Sequence, residues 1–294
     1  MELIHTLLFM LRRESLDYDL LLAKRCLSTL ENCTHKDVLV YNQGFWSNSE
    51  LADYLKAYRL NFTVIGEGKN VGILNGRQEC FLHIWNALDV KYISELHLDM
   101  AFMRNWEDHL INALVAAADE PLMCSGIVEK NGWIYFREDY AGVPPEDLNE
   151  LEHFLKGLCR KVIVPGFTHP CIHRAEMLKA IGGIDRRFLK GAQGFDDDSM
   201  LLGYRYYLGA RHNWRPKINF NTLCVHDVAG QRCSDKNGER ENFLGVVKMY
   251  GAKGVKELAE MHVSSGHRQF FSEEYARLLN ECNVCGGTEY GNEL

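Results

Sequence analysis

The chain has 294 residues, 46% of them hydrophobic and 25% charged, the composition of an ordinary soluble globular protein rather than a disordered, collagen-like or low-complexity one. A prior of roughly 150 residues per domain points to one large or two ordinary domains. Asp plus Glu number 40 against 33 for Lys plus Arg, a net charge of −7 with neutral histidines. That field argues against a sequence-independent grip on nucleic acid, while leaving room for a local basic pocket around a diphosphate.

In chain order, LIHTLLFML at 3–11 is far short of the ~20 residues that span a bilayer. With Arg12 and Arg13 behind it and no small-residue cleavage site, it reads as a buried strand over about 4–10 rather than a signal peptide. A helical pattern follows at 16–32, then strand DVLVYN (37–42) and helix SNSELADYLKAYRL (47–60), which Ser and Asn residues cap. A strand at 62–65, a Gly-rich turn at 66–72 and a helix over roughly 74–87 come next. Strand VKYISELHL (90–98) then leads into a helix from about 103 to 118. Four βα units in sequence imply a mainly parallel α/β sheet flanked by helices on both faces. Ligands of such sheets sit at the carboxyl ends of the strands.

After residue 120 the rhythm changes. PLMCSGIVEKNGWIYF reads as a hairpin about Asn131-Gly132, and the acidic helical stretch within 137–160 reads as an insertion. A strand at 161–165 precedes a helix at 174–181, which Gly182-Gly183 closes. A helix at 197–208 ends at Gly209, the strand NFNTLCVH covers 219–226, and helical segments fill 240–262 and 269–281. The implied organisation is a continuous α/β domain over 1–230, with a nucleotide-binding half (1–120) and an acceptor half (121–230), followed by a helical extension (231–294). The extension offers a face for packing as a homodimer. The ten cysteines are irregularly spaced and, without a secretory signal, are expected as reduced thiols in a cytoplasmic protein.

Five places could carry chemistry. In ELHLDM, His97 and Asp99 share a face because strand side chains alternate, and imidazole with carboxylate can hold a divalent ion; read alone, Asp99 is as readily a helix cap. GFDDDSM (194–200) brings three successive carboxylates to a helix start. One is enough for a cap, and three repel one another, raising at least one pKa toward that of a general base. His226 closes the last strand in CVHD, where it is either a metal ligand or a histidine at a strand exit. GEGKNVGILNGRQ (66–78) is Gly-rich, with Lys69 and Arg77 able to face phosphate, but it matches neither strict phosphate-loop spacing. Cys282 and Cys285 in CNVC form half of a zinc site whose other half is missing.

The order of these segments resembles the GT-A (Rossmann-like) fold of glycosyltransferases, particularly the family 2 inverting enzymes. DVLVYNQG is similar to that family's second strand and turn, with Tyr41 where an Asp is usual and Asn42 on the following Asn. Asn70-Val71-Gly72-Ile73-Leu74-Asn75-Gly76-Arg77-Gln78 is similar to N-x-G-x-x-x-A-R-N. ALDVKYISELHLDM is similar to A-x-G-D-Y-I-x-F-L-D-x-D, with Asp89 before the strand, His97 at the first D of D-x-D and Asp99 at its last. HRAEMLKAIGGIDRRF resembles R-x-x-x-x-x-x-G-G-F-D-E-x-F. GFDDDSMLLGYRYYLGA is similar to G-x-E-D-x-D-L-x-x-R-x-x-x-x-G, with Asp197-Asp198 on the Glu-Asp pair and Tyr204 where the helical Arg would fall. NTLCVHD is similar to the terminal strand with its metal-contacting His226. The resemblance covers about residues 4–230.

It implies inverting transfer of a sugar from a nucleotide diphosphate sugar donor to a carbohydrate or other hydroxyl acceptor. Asp198 is then the general base and Asp197 its orienting neighbour. Asp99 and His226 hold Mn²⁺ or Mg²⁺, with His97 as a further ligand at the donor; Arg77 assists the phosphates, and Asn42, Asn70 and Asp89 line the nucleotide. Two other readings stand beside it: a degenerate GT-A protein that binds a nucleotide sugar without transfer, and a nucleotidyltransferase. The latter would carry a Gly-rich basic loop after the first strand, where LRRES has the charge but no glycine.

Overall fold

A computed structural model describes residues 2–137, 139–209, 213–227 and 236–284. Its first half is laid down by runs of apolar residues too short for helices. β1 (Leu3–Phe9) is buried along nearly its whole length, as a strand covered on both faces must be. β2 (Asp37–Asn42), β3 (Phe62–Ile65) and β4 (Tyr92–Leu96) join it in the order β3-β2-β1-β4, all parallel. The connections are α1 (Leu16–Cys33), α2 (Asn48–Leu55) and α3 (Ile73–Ala87). Ser47 starts α2 with a reciprocal capping box to Glu50, satisfying two backbone donors that a helix start leaves open.

The sheet, expected as mainly parallel, is parallel over β3-β2-β1-β4 and continues as a mixed one. β10 (Cys171–Arg174) is antiparallel to both β4 and β6 (Leu122–Glu129), and beyond β6 lie β11 (Lys217–His226), parallel to it, and β5 (Met100–Phe102), antiparallel to β11. β7 (Trp133–Ile134) folds back on β6 as the Asn131-Gly132 turn requires, β8 (Asp139–Tyr140) pairs with β7, and β9 (Ile163–Pro165) pairs with β11. A register shift between Asn219 and Leu223 bends β11, so its second half meets β5, which follows β4 in the chain. This curl brings the carboxyl ends of β4 and β11 together.

The remaining helices are α4 (Trp106–Ala116), α5 (Leu148–Leu158), α6 (Ala175–Ala180), α7 (Asp196–Tyr207), α8 (Lys236–Met261, broken at Gly251) and α9 (Ser265–Val284). The helix expected from 103 begins only at Trp106, behind Asn105, so Asp99 does not cap it. The boundary expected at 230/231 falls in 228–235, outside the described residues. On either side of it the chain shares one core: Phe243, Leu258 and Phe271 are buried together with Leu7, Phe81 and Trp106. No helix among the described residues is long and apolar enough to cross a membrane.

α8 sits directly on the 188–195 loop ahead of α7. Backbones approach so closely that a Cβ on Gly191 would lie 2.3 Å from the Gly238 carbonyl oxygen. Asn242, fully buried, accepts from the Gly191 amide at 2.7 Å and donates to the Gln193 and Gly194 carbonyls at 2.9 and 3.0 Å. It substitutes for the backbone pairing that an irregular buried loop lacks. Asn242→Ala strands these groups and should lower stability by about 1–3 kcal/mol, read as a fall in the urea midpoint at unchanged m-value.

Candidate active site

Along β4, alternation puts Glu95 and then His97 on one face. The chain turns through 97–99 and enters β5, whose Met100 pairs with His226 of β11. Neighbouring register is therefore what sets Asp99 beside His226, with Oδ1 3.2 Å from Nε2. The His97 ring lies 5.3 Å from the His226 ring, and the ligating atoms of His97, Asp99 and His226 are all within 4.8 Å of one another. Burial first, then the neighbouring His169 and His226, hold His97 far below its ordinary pKa, so its lone pair is available to a ligand. Nδ1 of His226 is buried with no hydrogen-bond partner among the described residues, which is rare for a ring nitrogen and is the kind of atom a cation satisfies. Two imidazoles and a carboxylate fit a divalent transition ion such as Mn²⁺ better than an all-oxygen site would.

Next to this triad is a buried ionic cluster centred on Arg77 of α3. Its guanidinium donates to Glu95 at 2.5 and 2.8 Å, to Asp197 at 2.8 Å, and also to Asp196. Glu95 accepts in addition from Nε2 of His173 at 2.8 Å, and the other ring nitrogen of His173 is 2.8 Å from the Tyr204 hydroxyl. Burial opposes the charge on Glu95, but the Arg77 charge and the His173 hydrogen bond overcome it and hold this carboxylate far below its usual range. Asp196 goes the other way. Burial lifts it to about 6, with Arg77 offsetting and Asp197 adding to the rise. Asp197 is raised too, again chiefly by burial. The anticipated upward shift in the acidic run is present, and lost hydration exceeds mutual repulsion as its cause.

Successive helical residues point about 100° apart, and this phase separates the acidic run. Asp197 turns toward Arg77 and toward His169, whose Nε2 is 3.7 Å from its Oδ1. The His169 ring lies 4.4 Å from that of His97, linking Asp197 to the triad; burial takes His169 down to about 3, so it is neutral. Asp198 instead turns to the C-terminal helices and meets Nε2 of His262 at 2.6 Å.

Other expected site residues are placed differently. Arg77 was expected to face phosphate, but it is 6% exposed and enclosed by three carboxylates. Asp89 lies before β4, at the opposite end of a five-residue strand that spans roughly 16 Å, and is not among the groups gathered at residues 97–99. Asn42 ends β2 on the correct edge, but its side chain is committed to its own loop: it accepts from the Gly44 amide and donates to Trp46 and Asn48. Asn70 accepts from the Gly72 amide at 2.9 Å and likewise shapes its loop. Tyr204, in place of the helical Arg, bonds His173, while the adjacent Arg205 pairs with Glu257 and Glu260 of α8. Cys285 and the side chain of Cys282 lie outside the described residues; the described cysteines are free thiols.

Glu95, His169 and His173 were not anticipated, and His262 stood out only as a candidate to complete the Cys282–Cys285 half-site, whereas it meets Asp198. Glu95 did have a signal, a carboxylate inside an apolar strand two residues before His97. His169 and His173 recur in THPCIHR with no period, and His262 is 64 residues from Asp198.

The fold is shared with TarS of S. aureus. The structure of TarS 1–349 superposes with a TM-score of 0.50 at 12% identity, covering 100% of this chain and 76% of that one. The same fragment with UDP gives 0.51 at 12% identity, over 89% and 70%, and with UDP-GlcNAc 0.50 at 12%, over 95% and 72%. No protein-family model and no curated protein matches the chain. The GT-A resemblance drawn from the sequence thus holds at the level of fold.

Arg77 compensates two buried carboxylates and a third, Asp197, that is partly exposed, so Arg77→Met should cost about 3–5 kcal/mol near neutral pH. Without the cation those carboxyl groups would titrate above their unfolded values, and the folded state would bind more protons than the unfolded one. The variant's stability should therefore rise as pH falls from 7 toward 5, checked by urea unfolding across that range.

Proposed function

We propose that this protein is an inverting glycosyltransferase that moves a sugar from a nucleotide diphosphate donor to the hydroxyl of a carbohydrate or other acceptor. The observation that carries this reading is the meeting, at the carboxyl edge of the sheet, of the His97–Asp99–His226 triad with Asp197 across the His169 ring. A fold in common with a protein seen with UDP and UDP-GlcNAc supports a nucleotide-sugar donor at this edge.

Asp99, His226 and His97 would hold the divalent ion, Mn²⁺ by preference over Mg²⁺ given two nitrogen ligands. When bound, the ion supplies Lewis-acid stabilisation of the diphosphate leaving group. The donor's nucleoside would rest against the loops at 42–48 and 66–72, whose shapes Asn42 and Asn70 fix. With Asp198 engaged by His262 and Asp197 facing the triad, the base is Asp197 rather than Asp198. Its raised pKa makes it a better proton acceptor than an ordinary aspartate. Its Oδ1 takes the Arg77 hydrogen bond, while Oδ2 has no hydrogen bond among the described residues and is open to the acceptor hydroxyl. Asp198 and His262 then anchor the C-terminal helices beside the acceptor.

The nucleotidyltransferase reading has little support: the basic LRRES segment is drawn onto α1, Arg12 donating to Asp19 at 2.7 and 3.1 Å. Donor hydrolysis, monitored as nucleoside diphosphate release from a panel of nucleotide sugars with Mn²⁺, distinguishes a transferase from a binder that does no chemistry. Asp197→Asn should lower turnover by ~10²–10⁴-fold with donor binding nearly intact, and Asp198→Asn should cost far less. A larger loss in Asp198→Asn would return the base to that position.

A further inference from the structure

His169 is buried beside the triad yet is neither one of its ligands nor the base. His169 lies between β9 and β10, with its ring held 4.4 Å from that of His97 and edge-on to Phe167 at 5.1 Å. It is 7% exposed, and its Nε2 is buried without a hydrogen-bond partner among the described residues. That nitrogen faces Oδ1 of Asp197 at 3.7 Å, beyond the ~2.7–3.2 Å of a formed hydrogen bond. Hydrogen bonds within catalytic groups are often long before substrate binds and tighten in the complex. The approach needed is under about 1 Å, and the partly exposed side chain of Asp197 has room to make it.

We infer that His169 is a positioning residue for Asp197: Nε2–H donates to Oδ1, and with Arg77 on the same oxygen this forms a two-donor clamp that leaves Oδ2 for the acceptor's proton. The inference rests on Asp197 being the base. Arg77 reaches Oδ1 from α3 and His169 from the turn before β10, so the two donors fix the carboxylate against rotation about its last bond. A single donor would leave both oxygens free to exchange places. The arrangement also explains why an imidazole that is neither a triad ligand nor an exposed group is kept in the core with one nitrogen unpaired.

The test is ¹⁵N NMR of the full chain labelled at histidine, with the His169 signals identified by their loss in His169→Gln. The expected result is an Nε2–H tautomer whose N–H resonance moves in Asp197→Asn; an Nδ1–H tautomer with bare Nε2 would overturn the inference. In donor hydrolysis, His169→Phe should lower kcat by about tenfold, the worth of one hydrogen bond, at unchanged KM for the donor, and His169→Gln should recover most of it by restoring an N–H. A loss expressed in KM instead would make His169 a donor-binding group and contradict the clamp. Failure of the transferase reading shows separately, as absence of donor turnover in the wild-type protein with the tautomer unchanged.

Discussion

One guanidinium fixes the relation between three elements. Arg77 of α3, buried, bonds Glu95 near the end of β4 and both Asp196 and Asp197 at the start of α7. A buried ion cluster is a poor way to gain stability, because desolvating each charge costs several kcal/mol that the pairing only partly returns. It is an effective way to specify position. Moving α7 by a fraction of a turn, or slipping β4 by a residue, would leave a carboxylate in the core with no cation. Because Glu95 is two residues from His97, the same cluster that locates Asp197 also locates the first member of the triad.

The second constraint is the pairing of β5 with β11. A chain leaving β4 could enter a helix at once, the usual continuation of a βα unit. Here three residues, Met100–Phe102, first pair with Cys224–His226, and the bend in β11 brings that edge to β4. Asp99 and His226 are thereby neighbours although 127 positions apart in number. The clasp of α8 through Asn242 and the Asp198–His262 contact hold the start of α7 from its outer side. The acidic run is thus gripped on both flanks, one carboxylate facing the triad and the next facing the C-terminal helices.

Much of this was legible in the sequence, for identifiable reasons. β1, β2, β3 and α3 follow from apolar runs and helical periods, and the Asn131-Gly132 hairpin from its turn chemistry. β5 and β10 were not legible because three or four residues carry no period, and CIHR runs directly into α6. Asp99 and His226 stood out as polar residues ending strands. Their proximity did not follow from the strands taken singly, since it depends on the bend at 219–223. The carboxylates around Arg77 were not legible, because a motif names a residue type and says nothing of which charges surround it. Which of Asp197 and Asp198 faces the triad turns on helical phase, which depends on where α7 begins, and a helix boundary is hard to read from sequence to within a residue or two. His169 and His262 come from segments with no pattern tying them to the site.

A cation held by the His97–Asp99–His226 triad would serve a nucleoside diphosphate. Calorimetric titration of the wild-type protein with UDP, in Mn²⁺ and again in chelator, tests it most directly. Binding should be at least about tenfold tighter with Mn²⁺, a difference erased by Asp99→Ala. Equal affinity under the two conditions, or an ion effect that survives Asp99→Ala, would contradict it.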